Sequence, residues 1–233
     1  MKKLLLTLAG IALAINVASA QNYEKNIFGV NAGLNLSNLY GNYFYNTNKI
    51  NTGFHVGVSY ERLLKSNLPL YLETGLQYSM KGCSFNDMGD KGRVTASYLE
   101  IPVMVNYKFH INDDFSLYPS LGIYYGFALG GNEVWKYEGE KEKYPLFGEA
   151  GYLKRSDVGL RVSATACYKR FTLSLGYEFG FINMVKTEIG DFDIDDYSLT
   201  RASYDDYDYD YDMDFGKPNA HNGNFFISIG YKF

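Results

Sequence analysis

Asn224-Phe225-Phe226-Ile227-Ser228-Ile229-Gly230-Tyr231-Lys232-Phe233 is the stretch whose reading decides the fold. Side chains alternate across a β-strand, so Phe225, Ile227, Ile229, Tyr231 and Phe233 share one face, and Ser228, Gly230 and Lys232 share the other. On a soluble protein, such a flat apolar edge invites aggregation. The hazard disappears when the strand belongs to a closed barrel whose apolar face meets lipid.

Working outward from this segment, the same two-sided pattern recurs seven times, at 28–37, 54–61, 70–79, 99–108, 116–127, 157–165 and 171–180. In the fourth, Leu99, Ile101, Val103, Val105 and Tyr107 alternate with Glu100, Pro102, Met104, Asn106 and Lys108. In the seventh, Phe171, Leu173, Leu175, Tyr177 and Phe179 alternate with Thr172, Ser174, Gly176, Glu178 and Gly180. Each run is within a residue of, or above, the about 9 residues that a tilted bilayer-spanning strand needs. The connections alternate in length. Short ones fall near Lys65-Ser66-Asn67, Asn112-Asp113 and Lys169-Arg170, and long ones over roughly 38–50, 81–93, 130–153 and 185–221. Short turns alternating with long loops are the pattern of outer-membrane barrels, with the short turns periplasmic. The expected fold is therefore all-β: an eight-stranded antiparallel up-and-down transmembrane β-barrel with short periplasmic turns and long extracellular loops. A soluble lipocalin-like barrel would need an apolar interior, whereas here the face opposite the apolar one is polar and Gly-rich. Pro102 and Pro119 interrupt the fourth and fifth strands, and a bulge or irregularity is expected near Pro102, because Pro donates no ladder hydrogen bond.

The start of the chain fits this destination. Met1-Lys2-Lys3 precedes an apolar run from Leu4 to Val17, then Ala18-Ser19-Ala20 and Gln21. A basic start, an apolar middle and a small-x-small ending read as a signal peptide over 1–20, cleaved after Ala20, with the barrel domain over 21–233. The apolar run is short of the about 20 residues a spanning helix needs, and no comparable stretch follows Gln21. Composition agrees: 23 Tyr, 16 Phe and 24 Gly in 233 residues suit aromatic girdles at two membrane interfaces. A formal charge of -4 gives no reason to expect nucleic-acid binding. Cys83 falls in an expected loop and Cys167 near the opposite end of a strand, too far apart for a disulfide, so both are expected as free thiols.

The inward set contains Glu61, Glu73, Glu100, Lys108, Asp157, Arg161, Glu178 and Lys232. An eight-stranded barrel has an interior just wide enough for side chains to fill it. Charges there must pair or bear a large desolvation cost, so these residues are expected to form a structural polar network plugging the lumen. No Ser/His/Asp or Ser/His constellation is apparent, so no catalytic residue is assigned and a non-enzymatic protein is expected. No cofactor is implied. The most unusual stretch, Tyr204-Asp205-Asp206-Tyr207-Asp208-Tyr209-Asp210-Tyr211-Asp212-Met213-Asp214, reads first as a solvated acidic loop, since like charges repel. Its carboxylates Asp205, Asp206, Asp208, Asp210, Asp212 and Asp214 could alternatively ligate Ca²⁺, although the order of an EF-hand loop is missing. The other charged loop runs Trp135-Lys136-Tyr137-Glu138-Gly139-Glu140-Lys141-Glu142-Lys143-Tyr144, a mixture of charges and aromatics suited to the membrane surface.

Three stretches carry a family resemblance: Gly29-Val30-Asn31-Ala32-Gly33-Leu34-Asn35-Leu36-Ser37, Ser97-Tyr98-Leu99-Glu100-Ile101-Pro102-Val103 and Asp157-Val158-Gly159-Leu160. They resemble the first strand, the "YLEIP" strand and the "D-x-G" strand start of the porin-like outer-membrane β-barrel domain family, which includes PorT-like secretion proteins. The terminal aromatic Phe233 likewise resembles the assembly signal of outer-membrane barrels. The resemblance implies residence in the bacterial outer membrane, contact with its lipid, and no catalytic motif. The expected function is a non-enzymatic envelope protein acting through its extracellular loops, with 130–153 and 185–221 as the segments offered to an extracellular or envelope partner. A PorT-like component of a secretion apparatus is the alternative, and a narrow small-solute pore a third reading.

Overall fold

The computed structural model describes residues 24–41, 49–65, 67–87, 90–137, 140–186, 188–189, 192–193 and 218–233. Eight long strands form the wall: β1 (Asn26–Tyr40), β2 (Lys49–Lys65), β3 (Leu68–Asp87), β4 (Asp90–Tyr107), β5 (Phe115–Tyr137), β6 (Ser156–Tyr168), β7 (Phe171–Gly180) and β8 (His221–Lys232). Each pairs antiparallel with the next. The cylinder closes where β1 pairs with β8, from Gly29↔Lys232 to Tyr40↔His221. The expected all-β eight-stranded barrel is the observed fold.

The outer wall explains the composition. Phe28, Val58, Ile123, Leu173 and Ile229 are 60%, 55%, 55%, 50% and 66% exposed. Such exposure, repeated on every strand, is a lipid-facing surface rather than the outside of a soluble domain. Aromatics cluster at both margins. Phe171–Tyr231 and Tyr231–Phe233 meet at 5.2 and 5.1 Å near the end that carries the short turns. Phe54–Tyr78 and Tyr177–Phe179 meet at 5.6 and 4.4 Å toward the other.

The short turns lie where the sequence places them. Between β6 and β7, Lys169 takes φ 56°, a left-handed conformation that a tight hairpin turn requires. Between β4 and β5, Asn112 Oδ1 accepts from the N–H groups of Asp114 (3.0 Å) and Phe115 (2.8 Å), an Asx turn.

Two of the expected long loops are instead strand for much of their length. Over 81–93, β3 continues to Asp87 and β4 resumes at Asp90, with Asp87 paired to Asp90. Over 130–153, β5 continues to Tyr137 and pairs with a further short strand, Glu140–Pro145. The reason is an inversion of polarity. Within the lipid-facing band the outward residues are apolar and the inward ones polar. Beyond it the outward residues of β4 are Ser97, Thr95, Arg93 and Lys91, while the inward ones are Tyr98, Ala96 and Val94, all buried. Alternation persists with its sense reversed, because these strand ends stand in water around a small apolar core. Cys83 accordingly lies on β3, not in a loop, and is fully buried in that core. Burial pushes its thiol up to about 12. In the folded protein Cys83 is expected to resist a maleimide, while Cys167, half-buried at the opposite end of the barrel, reacts. Equal labelling rates by mass spectrometry would contradict this placement.

The irregularity expected at Pro102 is mild. The β3–β4 pairing lapses between Thr74↔Val103 and Gln77↔Glu100 and resumes in the same register, and Thr74 Oγ1 donates to Pro102 O at 2.9 Å. The register shift of β4 lies five residues earlier, between Ser97 and Tyr98, where Leu129 of β5 is the extra residue.

Candidate functional site

The lumen is filled in layers. In the upper layer Lys81 Nζ lies 2.5 Å from Glu100 Oε1 and 2.6 Å from Glu178 Oε2. Arg161 takes the remaining oxygens, Glu100 Oε2 at 3.0 Å and Glu178 Oε1. Two cations and two carboxylates therefore make a neutral ring across the barrel, from β3 and β4 to β6 and β7. Its geometry follows from register: Arg161 and Glu178 are direct cross-strand partners, and Gly126 on the intervening β5 leaves room beside Glu100. Gln77 Nε2 donates to Glu100 at 3.3 Å and Asn224 Nδ2 to Glu178 at 2.9 Å. Lys81 Nζ also lies 4.6 Å from the centre of the Tyr124 ring, a cation–π contact strengthened by desolvation. Pairing of this kind is what allows charges to persist in an interior largely withdrawn from water.

A second ionic layer closes the end with the short turns. Glu61 is bridged by Lys108 and Lys232. Lys232 lies 4.0 Å from Glu73, which accepts a 2.5 Å hydrogen bond from Asn106 Nδ2. Lys108 Nζ rests 4.2 Å from the centre of the Tyr71 ring. Between the layers is a cavity of about 80 Å³ lined by Asn31, His55, Gln77, Asn106, Tyr118 and Ser163 among others, polar and large enough to hold water.

Above the upper layer the lumen turns apolar. Leu39, Cys83, Phe85, Val94, Ala96 and Tyr98 from the wall pack on Leu146, Phe147, Leu153, Met184, Val185 and Ala220. The last six come from the connections that follow β5 and β7, which fold inward. Backbone hydrogen bonds hold them there: Leu153 N–H donates to Leu146 O, Lys154 N–H to Met184 O and Met184 N–H to Ala220 O, at 2.9, 2.7 and 2.8 Å. Asn183 fastens both sides of the last connection, since its Oδ1 accepts from Val185 and Ala220 N–H groups and its Nδ2 donates to Pro218 O.

Of the lumen residues expected from sequence, the structure brings Glu100, Arg161 and Glu178 together in one ring and Glu61, Glu73, Lys108 and Lys232 together in the other. Asp157 is buried beside the upper ring, and among the described residues no cation pairs with it. It accepts from Tyr124 OH at 3.0 Å and Asn222 Nδ2 at 2.8 Å. Lys81, which touches both carboxylates of the upper ring, was not among the expected residues, because it fell inside the supposed loop over 81–93.

A second omission corrects the expectation that no Ser/His constellation exists. His55 Nε2 lies 3.0 Å from Ser228 Oγ, and His55 Nδ1 lies 2.9 Å from Asn35 Oδ1. The spacing is that of nucleophile, base and orienting group. Its surroundings are those of a structural cluster: all three residues are buried, and Ser228 Oγ donates to Ala32 O at 3.2 Å, fixing β8 to β1. The signal was present in the alternation, since all three are polar and inward. The acidic candidates Asp205, Asp206, Asp208, Asp210, Asp212 and Asp214 lie outside the described residues, as does segment 1–20, expected to be a signal peptide. Among the described residues no group of three or more His, Cys, Asp or Glu is placed to hold a metal ion.

Comparison with known proteins follows the same lines. The family model described as "Outer membrane protein beta-barrel domain" matches residues 19–186. Among solved structures, Neisserial surface protein A is similar, with 14% identity, 88% of this chain and 97% of that one covered, and a TM-score of 0.43. Ail of Yersinia pestis, solved with the heparin analogue sucrose octasulfate, has 15% identity, coverage of 90% and 100%, and a TM-score of 0.40. The N-terminal β-barrel domain of Pseudomonas aeruginosa OprF has 9% identity, coverage of 87% and 97%, and a TM-score of 0.32. No curated protein sequence matches the chain.

Proposed function

Because the chain belongs to the outer membrane protein β-barrel domain family, we propose that it is a non-enzymatic surface protein of the bacterial outer membrane whose lumen is structural and whose extracellular side makes its contacts. The observation that carries the reading is the filling of the lumen: two paired ionic layers and an apolar cap lie in series among the described residues. A conduit for solute needs a continuous wetted path, and the cap of Leu146, Leu153 and Met184 offers none. The contact segments are 130–153, of which Trp135–Pro145 includes the projecting hairpin, and 185–221. The first segment, 1–20, is assigned as a signal peptide removed after Ala20, so the mature protein isolated from membranes starts at Gln21.

In planar bilayers the purified barrel is expected to give no steady single-channel openings. Openings of uniform conductance would overturn the sealed-lumen reading and favour the pore. The PorT-like secretion role is separated by mild crosslinking of intact cells followed by co-purification. Recovery of a fixed set of envelope-spanning partners in stoichiometric amounts would replace the surface reading with the secretion one.

A further inference from the structure

The hairpins that rise above the lipid-facing band sort their charges by face. Lys91 pairs with Lys136, and Lys136 with Lys141, so three lysines stand side by side across three strands. Arg93 pairs with Val134, and Val134 with Lys143. On the other flank Ser84 pairs with both Arg93 and Lys49. Residues directly opposite one another share a face. Val94, the neighbour of Arg93, points into the cap, so this face points outward. Lys49, Lys91, Arg93, Lys136, Lys141 and Lys143 are all exposed on it, and none makes an ion pair with another described residue. Glu133 and Glu142 fall on the reverse face. Glu133 opposes Tyr144 and Glu142 opposes Trp135, and Glu133 accepts hydrogen bonds from Trp135 Nε1 and Tyr152 OH, both at 2.9 Å. The alternating Glu140-Lys141-Glu142-Lys143 is thus not a mixed loop but a strand with one basic and one acidic side.

We propose that this outward basic face binds the phosphorylated headgroup of a glycolipid in the surrounding outer leaflet. Three observations select that occupant. First, the face continues the lipid-exposed wall upward from Leu99 and Leu129, so whatever covers it stands beside the barrel rather than on top of it. Second, among the described residues its cations are clustered with no acidic side chain on the same face, which suits multiply charged phosphate groups. Third, height excludes simple phospholipids. With a rise of about 3.3 Å per residue and a strand tilt of about 40°, Arg93 and Lys91 stand about 15–20 Å above Leu99. The polar zone of an ordinary leaflet is only about 5–8 Å thick. A sugar-phosphate headgroup spans the difference.

The test uses the full barrel in detergent, titrated with fluorescent lipopolysaccharide, its dephosphorylated form, phosphatidylglycerol micelles and soluble dextran sulfate. The variant Lys91→Gln/Arg93→Gln/Lys136→Gln/Lys141→Gln/Lys143→Gln changes only exposed side chains. Its fold is checked by the heat-dependent shift in gel mobility that a barrel shows. The proposal expects the wild type to prefer phosphorylated over dephosphorylated lipopolysaccharide and the variant to bind at least roughly 100-fold more weakly. A control carrying Lys25→Gln and Lys65→Gln, at the opposite end, should bind as the wild type does. Equal binding of the dephosphorylated form, or a folded variant with unchanged affinity, overturns the proposal. Binding of dextran sulfate as tightly as lipopolysaccharide also overturns it, and assigns the face to polyanions in solution. The inference rests on residence in the outer membrane, which membrane fractionation of the wild type tests separately.

Discussion

Lys81→Met is expected to lower the unfolding free energy of the refolded barrel by about 3–5 kcal/mol, the cost of leaving a buried carboxylate without its cation. Lys81 is fully buried and bonded to two glutamates. Without it, Arg161 alone faces both Glu100 and Glu178, and the ring carries an uncompensated negative charge in a dry interior. The double variant Lys81→Met/Glu100→Gln restores neutrality and should recover a large part of the loss. Urea titration in vesicles, followed by tryptophan fluorescence, gives both numbers. Lys143→Met, on the exposed basic face, is the comparison and should fall within about 0.5 kcal/mol of the wild type. A Lys81→Met cost no larger than that of Lys143→Met would show that the ring is hydrated rather than sealed.

The second large effect contrasts two positions on one face of one strand. Val103→Arg places a cation in the lipid-facing band and should cost about 2–4 kcal/mol. Thr95→Arg, also outward on β4 but above the band, should be neutral to within about 0.5 kcal/mol. The difference measures where hydrocarbon ends. If both substitutions are tolerated equally in vesicles, the apolar outer wall does not face lipid.

These two positions also show how much of the molecule was legible in its sequence. Eight strands can be read because Leu99, Ile101, Val103 and Val105 alternate with polar partners, as do their counterparts elsewhere. The ends of β3, β4 and β5 were missed for a physical reason. A search for greasy-outside alternation fails where water replaces lipid, and Arg93–Val94–Thr95–Ala96 then looks like loop although its period is unchanged. The same error hid Lys81. Assigned to a loop, it could not be counted among charges needing partners, although an inward set richer in acids than in bases already asked for another cation. The inward folding of Leu146, Leu153 and Met184 was beyond reach, since it depends on tertiary contacts between two connections far apart in the chain. The His55, Asn35 and Ser228 cluster was within reach, because each is polar on the inner face. What the sequence cannot supply is the distance across the lumen that brings them into contact.

The seam between β1 and β8 bears on how the molecule comes to exist. Ser228 and Ala32 bond across 196 intervening steps of chain, and Asn224 reaches Asn35 across 189. Joining segments so remote carries the largest loop-closure entropy in the protein and makes this junction slow to form. Until it zips, two unsatisfied rows of amide and carbonyl groups stand open to any passing ribbon. A helper that shields or templates those rows is therefore expected to speed assembly, and the inner clasp of His55, Asn35 and Ser228 makes the finished junction hard to reopen.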